Sequence, residues 1–84
     1  MIKVLFFASV REQLDCEALE LSLTGNGLRL SALTEKLCLE HGSVWRAVLS
    51  QDNLIFAVNQ SITDSECMVL DGDEVAYFPP VTGG

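Results

Sequence analysis

Apolar and polar positions along the chain change period several times, and each change marks an element boundary. Residues 2–8 (IKVLFFA) are β-branched, aromatic and apolar with little alternation, which predicts a strand covered on both faces or lying centrally in a sheet. Residues 11–16 are polar and predict a loop. Residues 17–23 alternate, with Leu19, Leu21 and Leu23 on one face and Glu20 and Ser22 on the other, the pattern of a half-buried strand. Together the two strands predict a hairpin with a loop longer than two residues. The run TGNG at 24–27 breaks the second strand. Leu30, Leu33 and Leu37 then fall at helical spacing, with Glu35, Lys36 and Glu40 on the outer face. His41-Gly42 predicts the end of that helix, because Gly suits the reversal after the last turn and His suits the negative end of the dipole. Ser43 is the expected cap of a second, short helix carrying Val44, Trp45, Val48 and Leu49.

Asp52-Asn53 predicts a turn, residues 54–58 a third strand and residues 59–61 another turn. Residues 68–70 form a short apolar segment, Asp71-Gly72-Asp73 a strong turn signal, and residues 74–78 the last strand, after which Pro79 has no N–H to give to a ladder. This order predicts an α+β domain: a mixed sheet packed by one main helix plus a short helix. The first and last strands are too apolar for a sheet edge. Placed side by side and parallel, they give the β-grasp, or ubiquitin-like, architecture. The expected division is a β-grasp domain over 1–78 and an extended C-terminal tail over 79–84 ending in Gly-Gly.

Eighty-four residues suit one domain that buries roughly 60–65% of its unfolded surface and has little stability to spare. With 49% hydrophobic residues the chain is no disordered tail, and some of that apolar surface is expected to wait for a partner. Twelve acidic against five basic side chains give a net charge of −7, which argues against nucleic acid and anionic lipid and suits a basic protein partner. The opening MIKVLFFASV is too short and too weakly basic for a secretory leader, and no run approaches ~20 apolar residues, so no membrane span is expected. Cys16, Cys38 and Cys67 are odd in number and include no C-x-x-C pair, which points to reduced thiols in a cytoplasmic protein, with Cys38 a buried small hydrophobe.

Candidate chemistry inside the domain is sparse. The single His, His41, is better explained by a helix end than by catalysis, and no nucleophile elbow, Walker loop or H-E-x-x-H pair occurs. Asp71, Asp73 and Glu74 are read as turn chemistry and not as a metal site, so no metal is expected. The tail is different. No residue after Glu74 has a charged side chain, Pro79 and Pro80 restrict the direction of exit, Val81 and Thr82 extend the chain, and Gly83 and Gly84 fit a channel too narrow for side chains. A terminal carboxylate, ionised above a pKa near ~3.5, is a poor electrophile. Adenylation by ATP would give it a good leaving group, and a sulfur donor could then convert it to a thiocarboxylate.

The stretches MIKVLFFASVRE, AVNQ at 57–60 and DGDEVAYFPPVTGG at 71–84 resemble the small subunits of molybdopterin synthase, the MoaD family of ubiquitin-like sulfur carriers. The resemblance is close at both ends and loose over 15–53. Carriers of the thiazole pathway share the fold and Gly-Gly but generally lack the Pro-Pro-Val-Thr lead-in. The resemblance implies a non-catalytic sulfur-donor subunit with no bound cofactor. An E1-like adenylyltransferase of the MoeB type would adenylate Gly84 with ATP, and a sulfur donor protein would supply the sulfur. The tail, Pro79 to Gly84, would thread the active site of a large subunit of the MoaE type. There the thiocarboxylate would give sulfur to cyclic pyranopterin monophosphate and form the dithiolene of molybdopterin, in an assembly of two small and two large subunits. It also implies that Phe7, Ile62 and Phe78 form the apolar partner contact and that Arg11 pairs with an acid of a partner. Ordinary core packing for Phe7 and a solvated charge for Arg11 remain open. So do a carrier of another pathway, a ubiquitin-like protein modifier and a plain binding module with an inert tail.

Overall fold

The fold is described from a computed structural model covering residues 1–23 and 25–80. Its elements are β1 (Ile2–Phe6), α1 (Ala8–Leu14), β2 (Ala18–Leu21), β3 (Leu28–Arg29), α2 (Leu30–His41), α3 (Ser43–Leu49), β4 (Ile55–Val58), β5 (Ser61–Thr63), β6 (Met68–Val69) and β7 (Glu74–Phe78). Five strands form one sheet in the order β2-β1-β7-β4-β5, and β3 pairs with β6 in a small second sheet. β1 and β7 lie side by side at the centre and run parallel, while β2, β4 and β5 are antiparallel to their neighbours. The two most apolar strands therefore occupy the positions with neighbours on both sides.

Alternation sorts the central strands into two faces. Ile2, Val4 and Phe6 of β1 and Val75 and Tyr77 of β7 point into the core, where they meet Val10 and Leu14 of α1, Leu30, Leu33 and Leu37 of α2, and Trp45, Val48 and Leu49 of α3. β1 is thus covered on one face only, since Lys3 is exposed on the other. The helix count also exceeds the expectation of one main helix and a short one. α1 occupies most of the segment read as a polar loop, held by Val10 and Leu14 alone. Ser43 makes no capping bond. Gly42 takes the N-cap of α3 and closes α2 with φ +98°, in the left-handed region that Gly enters without a Cβ penalty, so a single residue joins the two helices.

Thr34, at the edge of the core, is hydrogen-bonded to the buried Tyr77. Thr34 donates its hydroxyl proton to the carbonyl of Leu30 at 2.9 Å, which leaves Tyr77 to donate to Thr34 Oγ1 at 2.7 Å. Burial pushes the Tyr77 hydroxyl well above the usual tyrosine pKa, because a phenolate there would lose its water; the Thr34 bond offsets only part of that. Trp45 packs edge-on against Phe6 at 5.3 Å and stacks beneath His41 at 3.9 Å, which gives both residues a structural place. Cys38 is buried, and burial raises its thiol pKa. Among the described residues no helix is long and apolar enough to cross a membrane.

Candidate functional site: an apolar groove at the root of the tail

The face of the sheet turned away from the helices is open, and its composition follows from the strand register. Ala18, Leu5, Ala76, Ala57 and Ile62 are consecutive cross-strand partners, one from each of the five strands. The row contains no charged side chain, and three of its members are alanines, which leave the sheet surface low. Ile62, at its end, is 79% exposed. Alongside it, Phe78 is paired with Ile55 in the ladder, and the Phe7 ring stacks on Phe78 with centroids 4.6 Å apart and planes 6° from parallel.

These residues line an open groove of about 870 Å³. Its walls are Phe7, Ala8, Ile55, Ile62, Phe78, Pro79 and Pro80, its floor is Ala57 and Ala76, and its polar members are Gln60 and Glu74. Two backbone features frame it. Ala8 has φ +52°, a left-handed conformation that strains an L-residue, at the point where the chain leaves β1 for α1. Asn59 and Gln60, with φ of +51° and +69°, make the two-residue turn between β4 and β5. Phe7 is held from two sides: its N–H donates to Tyr77 O at 3.1 Å, and its carbonyl accepts from Arg11 N–H at 3.3 Å.

The structure thus brings Phe7, Ile62, Phe78, Pro79 and Pro80 together on one surface. Arg11 stands apart: it is exposed on α1 and lines no part of the groove. Val81, Thr82, Gly83 and Gly84 lie outside the described residues. The sequence reading missed Ala8, Ile55, Ala57, Gln60, Glu74 and Ala76 as groove residues. The available signal was the absence of alternation in β4, where Ile55 and Ala57 put apolar groups on the face that a half-solvated strand would make polar.

The acids before β7 behave as turn residues. Asp71 accepts from the Met1 ammonium, whose hydrogen bond and charge hold that carboxyl below its usual pKa. Asp73 accepts from Leu70 N–H at 2.8 Å and from Asn59 Nδ2 at 3.0 Å.

Comparison with known proteins decides the family. The model of the ThiS family matches residues 4–84. The chain belongs to the ThiS family. Within the ThiS family it groups with the MoaD-type carriers. It is 42% identical to the molybdopterin synthase sulfur carrier subunit of Escherichia coli and 39% identical to that of Haemophilus influenzae, each over 84 residues and the whole of both chains. Among solved structures, SAMP1 from Haloferax volcanii superposes with a TM-score of 0.76 at 20% identity, covering 99% of this chain and 98% of that one. The complex of subunits 1 and 2 of molybdopterin-converting factor from Helicobacter pylori contains a chain that matches with a TM-score of 0.63 at 23% identity, over 99% of this chain and 97% of that one. At these identities the likeness establishes the ubiquitin-like β-grasp fold.

Proposed function

We propose that this chain is the sulfur carrier subunit of a molybdopterin synthase. The observation that carries the reading is spatial: the strand that leads to the tail ends inside the apolar groove, so a partner seated on Phe78, Ile55 and Ile62 sits at the root of the tail. Full-length identity with two relatives named as molybdopterin synthase sulfur carrier subunits supports the same assignment.

The chemistry runs through Gly84. Its carboxylate attacks the α-phosphorus of ATP in an E1-like adenylyltransferase and pyrophosphate leaves. A sulfide-level sulfur from a donor protein then displaces AMP from the acyl carbon, leaving a thiocarboxylate. In the large subunit that sulfur attacks an oxygen-bearing carbon of cyclic pyranopterin monophosphate, the C–O bond breaks with its electron pair leaving on oxygen, and water cleaves the acyl–sulfur bond to return the carboxylate; two carriers supply the two sulfurs of the dithiolene. The carrier contributes delivery: tethered to a docked domain, the sulfur reacts at a high effective concentration. Gly83 and Gly84 let the tail enter a narrow channel, and the docked groove fixes where it starts. Reduced cysteines suit a cytoplasmic setting for this exchange.

Deleting Gly84 tests the reading. The shortened chain should fold and bind the large subunit yet support no molybdopterin synthesis in a reconstituted system. Synthesis at the full-length rate would overturn it.

A further inference from the structure

Of the three acids around the turn into β7, two have side-chain partners and the third has none among the described residues. Asp71 meets the Met1 ammonium, and Asp73 meets Leu70 N–H and Asn59 Nδ2. The Glu74 carboxylate takes no hydrogen bond and no ion pair among the described residues. Its backbone, by contrast, is fixed: Asn59 N–H donates to Glu74 O at 2.8 Å, and Glu74 N–H donates to Asn59 Oδ1 at 3.0 Å. Glu74, half-buried and with its backbone held, is therefore the one charged residue of the lining, among groups that are apolar apart from Gln60.

Lys3 does not cancel it. In the sheet Lys3 stands between Glu74 on β7 and Glu20 on β2, one ammonium between two carboxylates, and it forms no ion pair among the described residues. Full engagement of Lys3 would still leave one negative charge in the row. A protein that covers the groove removes water from Glu74, and a carboxylate desolvated without a partner weakens the complex. With a partner it adds orientation and excludes surfaces of the wrong charge.

We propose that the large subunit, seated on this groove, presents a lysine or arginine to Glu74 beside the apolar group that fills the floor, so that Glu74 determines which apolar surface is accepted. A second copy of this chain does not qualify, because it brings a net charge of −7 to the same negative surface. The inference rests on the docking reading above and deepens it.

The test is calorimetric titration of the full chain into the large subunit from the same organism, at low and high salt, for the wild type, Glu74→Gln, Glu74→Asp and Ile62→Asp. Glu74→Gln should weaken binding by about tenfold or more and flatten its salt dependence. Glu74→Asp, which keeps the charge, should recover part of the affinity and the salt dependence. Wild-type affinity and salt dependence in Glu74→Gln, with Ile62→Asp defective, would overturn the inference and leave the docking reading standing. Failure of the wild type itself to bind would overturn both.

Discussion

Phe7 and Phe78 stack nearly parallel on the outer face of the sheet, 4.6 Å between centroids. The pair follows from register. β1 and β7 run parallel with Phe6 opposite Tyr77, so the next residue of each strand falls on the other face, side by side. The inner pair belongs to the core and the outer pair to the groove. One register shift would exchange them and bury the wrong set.

Truncating the outer pair should therefore separate binding from folding. Phe7 is 37% exposed, and an aromatic pair adds about 0.5–1.5 kcal/mol beyond its burial. Phe7→Ala is expected to cost about 1–2 kcal/mol in urea unfolding and at least about tenfold in affinity for the large subunit. Equal affinity would remove Phe7 from the interface.

Ile62 gives the cleaner separation. Because its side chain is mostly in water, Ile62→Asp should change stability by no more than about 0.5 kcal/mol. Binding to the large subunit should fall by about tenfold or more, as a charge replaces the apolar end of the groove. Denaturant unfolding and titration on the same sample check both halves.

Ala8 carries a conformational cost that Gly would avoid. An L-residue in the left-handed region loses roughly 1–2 kcal/mol, while Gly adds about 0.5–1 kcal/mol of unfolded-state entropy. The balance favours Ala8→Gly by about 0.5–1 kcal/mol, read as a raised urea midpoint. A lowered midpoint would show that the Cβ of Ala8 contributes more to the groove wall than the strain removes.

Tyr77 makes the fold sensitive to base. Its pKa is raised in the folded state, so the folded protein holds a proton that the unfolded chain releases near pH ~10. Its neutral burial is fully tolerated below that pH, and stability falls as pH rises beyond it, because the unfolded state then binds fewer protons. Tyr77→Phe should lose about 1 kcal/mol at neutral pH from the bond to Thr34, yet show a flatter decline above pH ~10. As the single tyrosine, Tyr77 can be followed directly by ultraviolet absorbance.

How much of this was legible in the sequence depends on which face each residue takes. Residues buried on the core side announce themselves: the apolar runs of β1 and β7 placed those strands centrally, and Leu30, Leu33 and Leu37 marked α2. α1 was hidden because only Val10 and Leu14 are buried, separated by Arg11, Glu12 and Gln13, too few contacts to set a helical period. β5 was hidden because it is three residues long and its apolar member, Ile62, points outward. The groove had the same problem. Its residues come from three strands, β4, β5 and β7, and from the segments beside them, and only the register brings Ala76, Ala57 and Ile62 into line. Phe7, Ile62 and Phe78 were named through family resemblance, while Glu74 was read as part of a turn that Asp71 and Asp73 in fact make.

The central claim is that the carboxylate of Gly84 is the reactive group, and intact mass tests it most directly. The full chain is incubated with its E1-like adenylyltransferase, ATP and a sulfur source, with a second carrier of that enzyme as a positive control. The account predicts a mass gain equal to exchange of one oxygen for one sulfur, confined to the terminal peptide and lost on deletion of Gly84. An unchanged mass beside a fully converted control would contradict it.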